Sequence, residues 1–250
     1  VKQILLITDG CSNVGESPVS AAALAFAEGI TVNVAGVIDE GAIGEQGAVE
    51  IAEIAKAGGG MSRIVTTHQL SHTVQMMTRQ TVAGTIRHAV NQELKQLFGL
   101  DSVGALPPPK RAEVVRVMDE LEETSELRVA LLIDASASMK PKLHAVEDAV
   151  RDLALSLQSR NGRSAVAVFH FPGDFGHLPC VLDCGWTTEA GKLHSMFTRI
   201  RMKGTTPTGP ALLQVVDFIR ETCGIIKSEL LEPPHIERGD NEEVRSDYVV

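Results

Sequence analysis

The apolar positions of the chain fall into short continuous runs separated by amphipathic stretches. Gln3 to Thr8 (QILLIT), Ile30 to Ile38 (ITVNVAGVI), Arg128 to Ile133 (RVALLI) and Ala165 to Phe171 (AVAVFHF) show no regular apolar–polar alternation. Such runs suit strands buried on both faces, as in a parallel sheet covered by helices. Ser62 to Thr66 and Pro179 to Cys184 read as shorter strands, the second close enough to its predecessor to form a hairpin. Ser17-Pro18 offers an N-cap followed by proline in the first turn, and the helix it opens (AAALAFAE) stops at Gly29. Glu45 to Ala57 has apolar residues at helical spacing and is stopped by Gly58-Gly59-Gly60. Leu70 to Met77, Leu143 to Leu157, Ala190 to Ile200 and Pro210 to Thr222 read as further helices; in the second of these, Val146, Val150, Leu153 and Leu157 line one face. Strands alternating with helices predict a mostly parallel sheet with right-handed crossovers, built from two α/β blocks at 1–78 and 127–223.

Segment 79–126 has a different texture. Val82, Ile86, Val90, Leu94 and Leu97 recur at helical spacing, Pro107-Pro108-Pro109 breaks the chain, and Val114, Val117, Met118 and Leu121 mark a second amphipathic helix. Two such stripes are expected to pack on the domain or on each other, with a partner-docking hairpin as the alternative. Residues 224–250 are Glu-rich, contain Pro233-Pro234 and lack periodicity after Leu231, so they are expected to form a mobile tail.

Composition narrows the function classes. Hydrophobic residues make up 44% of the 250 positions, enough for a sizeable core. The formal net charge of −9 argues against broad electrostatic binding to nucleic acid or anionic lipid. Only 4% of residues are aromatic, which disfavours base-stacking surfaces. No apolar run approaches the roughly 20 residues needed to cross a bilayer. The opening VKQILLITDGCSN reads as strand and turn rather than as a secretory leader, and a cytoplasmic protein is expected. Cys11, Cys180, Cys184 and Cys223 are read as structural or incidental, because their spacing makes a poor zinc signal.

The candidate chemistry lies in three stretches. Asp134-x-Ser136-x-Ser138 follows one buried strand directly, Thr8-Asp9-Gly10 ends another, and Gly204-Thr205-Thr206-Pro207-Thr208-Gly209 is a punctuated loop before a helix. Carboxylates and hydroxyls are hard oxygen donors and select Mg²⁺, Mn²⁺ or Ca²⁺. Alternate residues of an extended turn can face one point, and ligands of parallel α/β sheets bind beyond the carboxyl ends of strands. Taken singly, each stretch is also an ordinary Asx turn, strand-end turn or Thr-capped helix start. Their conjunction, with two buried strands placing the aspartates, points to one site.

DASAS at 134–138 and GTTPTGPAL at 204–212 resemble the first half of a von Willebrand factor type A (vWA) domain. ILLITDG at 4–10, GITVNVAGV at 29–37 and EIAEIAKAGGG at 50–60 resemble its second half, so the chain looks like a circularly permuted domain of that family. The whole chain is also similar to the YabS-type proteins of spore-forming bacilli. The vWA resemblance implies a doubly wound, Rossmann-like α/β fold with a mostly parallel six-stranded sheet, helices on both faces and a helical insert. The implied strand order is 179–184, 165–170, 128–133, 3–8, 30–37 and 62–66. It also implies a metal-ion-dependent adhesion site (MIDAS) in which Ser136 and Ser138 bind Mg²⁺ directly, with Mn²⁺ as the alternative cation. Asp134 and Asp9 would act mainly through bound water, and Thr206, with Thr205 as its neighbour, would be the loop ligand. Lys203-Gly204 stands where the family often has paired glycines. The implied partner is a protein offering an exposed Asp or Glu, rather than nucleic acid or a membrane.

Two other readings stay open at this level: a metal-dependent phosphohydrolase, and a scaffold whose metal site is incidental. DASAS lacks the second aspartate of haloacid-type phosphohydrolases, and neither a P-loop nor a G-x-S-x-G elbow occurs. His170, inside an apolar strand, is expected to be a hydrogen-bonded core residue.

Overall fold

The computed structural model describes residues 1–10, 12–38, 44–173, 178–194, 196–197, 200 and 204–229. The strands are β1 (Lys2–Thr8), β2 (Thr31–Ile38), β3 (Gly59–Thr66), β4 (Leu127–Asp134), β5 (Ser164–Phe171) and β6 (Val181–Thr187). The helices are α1 (Pro18–Ala27), α2 (Glu45–Ala57), α3 (Leu70–Phe98), α4 (Pro108–Thr124), α5 (Leu143–Gln158), the short α6 (Gly191–His194) and α7 (Thr208–Glu229). The strands form one sheet of order β3-β2-β1-β4-β5-β6. All pairs are parallel except β5 with β6. This is the strand order that the permuted resemblance implies, and a Rossmann-like arrangement consistent with a vWA-type fold.

The continuous apolar runs are explained by helices on both faces. Leu5 and Ile7 of β1, with Val129, Leu131 and Ile133 of β4, face a core shared with Val74 and Met77 of α3 and with Val146, Val150 and Leu153 of α5. The alternate residues Ile4, Leu6, Ala130 and Leu132 face the opposite core, with Ala21, Ala22 and Ala25 of α1, Ile51 and Ile54 of α2, and Leu212, Val215 and Val216 of α7. Strand β4 therefore has no solvent-facing side. Ser17 caps α1 by accepting from the Ser20 amide at 3.5 Å, with Pro18 in the first turn, as the sequence predicts.

Five boundaries differ from the sequence reading, the first being β6, which runs Val181–Thr187 rather than Pro179–Cys184. The helix expected over Leu70–Met77 and the stripe expected from Val82 to Leu97 are one 29-residue helix. The intervening Thr78 and Thr81 look like a polar interruption, yet both are buried. The Thr81 hydroxyl donates to the Met77 carbonyl at 2.9 Å and accepts from Asn33 Nδ2 at 2.8 Å, so the polar letters lie on the packed face. The glycines read as a helix stop are divided: Gly58 caps α2, while Gly59 and Gly60 open β3. Of the described residues in the stretch 190–200, Gly191–His194 form an α-helix; residues 195, 198 and 199 lie outside the described set. Helix α7 runs on to Glu229, into the segment expected to be a mobile tail. One glycine in a helix-forming run costs only about 1 kcal/mol and does not end it. The remainder of that segment, residues 230–250, lies outside the described residues.

The insert packs on the domain, as the stripes predict. Val82 and Ile86 of α3 and Met118 of α4 join the core on the α5 side. Leu97, Phe98, Val117 and Leu121 remain exposed.

Candidate functional site

The site is set by the register of β1 against β4. Ile7 lies opposite Ile133, so the next residues, Thr8 and Asp134, emerge side by side at the carboxyl end of the sheet. The Thr8 hydroxyl donates to Asp134 Oδ2 at 2.7 Å, and the Ser136 amide donates to Asp134 Oδ1 at 2.8 Å. The second bond is the Asx turn that the motif suggests. Together the two bonds hold the carboxylate plane fixed.

From there an oxygen chain crosses to the other aspartate. The Ser136 and Ser138 hydroxyls lie 3.1 Å apart, and the Ser138 hydroxyl donates to Asp9 Oδ1 at 2.9 Å. Four of the five sequence-predicted residues, Asp134, Ser136, Ser138 and Asp9, thus form one connected cluster between neighbouring strand ends.

The fifth, Thr206, is tied through its backbone to Ser12 and Asn13. Its carbonyl accepts from the Asn13 amide at 3.1 Å and from the Ser12 hydroxyl at 3.2 Å, and its amide donates to Asn13 Oδ1 at 2.8 Å. The loop before α7 is therefore stitched to the loop that follows Asp9. Thr206 is buried whereas Thr205 is exposed, so Thr206 is the threonine turned inward.

This stitching needs close backbone approach. A Cβ on Gly209 would lie 2.0 Å from the Glu16 carbonyl, and one on Gly15, whose φ is +87°, would lie 2.4 Å from Pro210 Cγ. Gly209→Ala must therefore push α7 away from the 12–17 loop. The expected cost is about 1–3 kcal/mol in urea unfolding, the usual range for overpacking. An unchanged midpoint would show that the loops part freely.

The electrostatics are dominated by burial. Asp134 is fully buried, which pushes its pKa above the usual carboxylate range; the Asp9 charge adds to the rise, while the Thr8 and Ser136 bonds oppose it. Lys142, at the end of the 3₁₀ turn Ala137–Lys142, places its Nζ 2.5 Å from Asp9 Oδ2 and 3.3 Å from the Ser138 carbonyl. Sequence reasoning missed this lysine, because Lys140 and Lys142 both follow the motif and nothing in their spacing marks which one folds back. It also missed the specific contacts of Ser12 and Asn13.

Ser12 and Asn13 line a cleft of ≈ 700 Å³ with Glu16, Glu45, Glu50 and Glu53. The Ser12 amide donates to Glu50 Oε1 at 3.0 Å.

The donor set suits a hard dication, since it consists of carboxylate and hydroxyl oxygens without soft ligands. Among the described residues no group of three or more His, Cys, Asp or Glu side chains is gathered to hold a metal. Any metal here would rely on hydroxyls. His170 Nδ1 lies 2.7 Å from Asp183 Oδ2 with both side chains buried, as expected of a satisfied core histidine. Cys180 is buried, and burial pushes its thiol up to about 12. In the folded chain it should react with thiol reagents roughly a thousandfold more slowly than in urea at the same pH. Equal rates by mass spectrometry would contradict that burial. Cys11 lies outside the described residues.

No family profile matches the chain. A protein of Bacillus subtilis (strain 168) described as "Uncharacterized protein YabS" is 47% identical over 233 residues, covering 92% of this chain and 94% of that relative. A crystal structure of an uncharacterized protein from Alicyclobacillus acidocaldarius subsp. acidocaldarius DSM 446 is 43% identical, with a TM-score of 0.83. It covers 90% of this chain and 96% of that one. Proximal thread matrix protein 1 from the mussel byssus, with a zinc-occupied MIDAS motif, aligns at 15% identity and a TM-score of 0.28, over 94% of this chain and 48% of that one. A likeness that low bears on neither fold nor site. Among the described residues no helix is long and apolar enough to cross a membrane.

Proposed function

The chain belongs to the YabS family, and we propose that its fold presents a divalent-cation-dependent protein-interaction site. The observation that carries the proposal is the connected oxygen cluster of Asp134, Ser136, Ser138 and Asp9 across two adjacent strand ends. Asp134, Ser136, Ser138, Thr206 and Asp9 would hold Mg²⁺, with Mn²⁺ as a substitute. When bound, the ion supplies an electrophilic centre with exchangeable water that a partner's Asp or Glu carboxylate can replace. The protein's own groups do the rest. Thr8 and the Ser136 amide orient Asp134, and the Asn13–Thr206 bonds tie the loop before α7 to the loop that follows Asp9.

Charge supports the need for a cation. The neighbouring cleft carries Glu16, Glu45, Glu50 and Glu53, and the cluster itself carries two aspartates. An acidic partner approaching the metal-free face meets mostly like charge, which disfavours association. The same acidity disfavours nucleic acid and anionic membranes as partners, and we place the protein in the cytoplasm. Binding suits the site better than catalysis, because a dication held largely by neutral hydroxyls keeps its affinity for an incoming carboxylate.

The test is a titration of metal-free protein with Mg²⁺ and Mn²⁺, followed by partner capture with and without EDTA. Saturable one-site binding, and capture lost in EDTA, are the expected results. Undetectable metal binding, or capture indifferent to chelator, would overturn the proposal. Mg²⁺-dependent turnover of a generic phosphate ester that disappears in Asp9→Ala would replace it with the phosphohydrolase reading.

A further inference from the structure

We infer that Lys142 is a tethered cation that occupies Asp9 in the metal-free state, so that a divalent ion must displace it and the cost of that displacement sets the affinity of the site. This inference rests on the metal-site reading above.

The Lys142 ammonium lies against Asp9. Its Nζ is 2.5 Å from Asp9 Oδ2 and 3.3 Å from the Ser138 carbonyl, while Asp9 Oδ1 accepts from the Ser138 hydroxyl. The ammonium therefore rests on two of the residues assigned to the metal and uses the oxygen of Asp9 that Ser138 leaves open. The side chains of Lys142 and Asp9 are only 11% and 4% exposed. The lysine pairs Lys95–Asp101 and Lys192–Glu189 are mostly exposed, and such surface pairs contribute little. A buried pair is different, since each charge has lost water and relies on its partner.

The backbone makes the arrangement specific. Asp134-x-Ser136-x-Ser138 runs into the 3₁₀ turn Ala137–Lys142, which contains Pro141 and buries Met139 in the core. That turn returns Lys142 toward Asp9, whereas Lys140 is exposed. A dication and an ammonium cannot share Asp9 without strong repulsion at such separations. Loading must therefore move the lysine outward.

The experiment compares Mg²⁺ and Mn²⁺ affinities of the metal-free chain, Lys142→Met, Lys142→Arg and Lys140→Met by calorimetry. Lys142→Met should bind at least tenfold tighter than the unaltered chain, Lys142→Arg should stay within threefold of it, and Lys140→Met should change affinity less than threefold. Acetylation footprinting of the unaltered chain gives a readout independent of any variant's folding, with Lys142 labelling rising several-fold on addition of Mg²⁺. Tight binding by Lys142→Met alone would also support the inference. Equal or weaker binding by Lys142→Met, or Lys142 labelling unchanged by a metal that binds, would overturn it and leave the metal site standing. Binding by none of the four proteins would overturn the metal site and this inference with it.

Discussion

Asp134→Asn should weaken Mg²⁺ and Mn²⁺ binding by roughly 100-fold or more while leaving the metal-free fold at least as stable at neutral pH. The amide oxygen can still accept from the Ser136 N–H, and the Thr8 hydroxyl can turn to accept from the new amide, so the local geometry survives. What disappears is a buried negative charge. Its pKa is raised mainly by burial, so between its ordinary 3.8 and the raised value the folded chain binds more protons than the unfolded one. Stability contributed by this group therefore falls as pH rises through that window, and the asparagine variant should not show that fall. Protons compete with the metal for the same oxygen, so acidification through the window should weaken cation binding. Calorimetric titrations and thermal unfolding at several pH values measure both effects. A variant that binds metal as tightly as the unaltered chain would remove Asp134 from the site.

Asp9→Ala should cost more in stability than any other change at the site, about 3 kcal/mol, because it leaves the Lys142 ammonium partly buried without its carboxylate. The loss lies at the low end of the usual range because the lysine stem can swing toward solvent. Combining Asp9→Ala with Lys142→Met should recover a large part of that loss. Urea unfolding of the two single variants and the double variant forms the cycle that isolates the pair. Additive losses would mean that the two groups contribute independently of each other.

The central strands were legible because their signal is local. A run such as RVALLI has no polar side to present, and the two helical layers around β4 are the reason. The five candidate residues stand out as oxygen-bearing letters, four of them at two strand ends and Thr206 in the loop before α7, and the β1–β4 register brings the first four into one hydrogen-bonded cluster. The continuity of α3 was not legible, since Thr78-Arg79-Gln80-Thr81 has the look of a break. It is helix because Thr81 reaches Asn33 of β2, a contact 48 residues away in sequence. Lys142 was missed for a similar reason. Its role depends on a turn geometry and on an aspartate 133 residues away, and neither is written in the spacing of DASASMKPK. Periodicity reports which side of an element is buried; it does not report which polar group waits on the other side of the contact.

A crystal structure with saturating Mn²⁺, the ion located by its anomalous scattering, decides whether the cluster is a metal site. One strong peak is expected, bonded to the hydroxyl oxygens of Ser136 and Ser138, between Asp134 and Asp9, with Lys142 withdrawn from Asp9. No peak there, or manganese only elsewhere on the chain, would contradict the metal-site assignment.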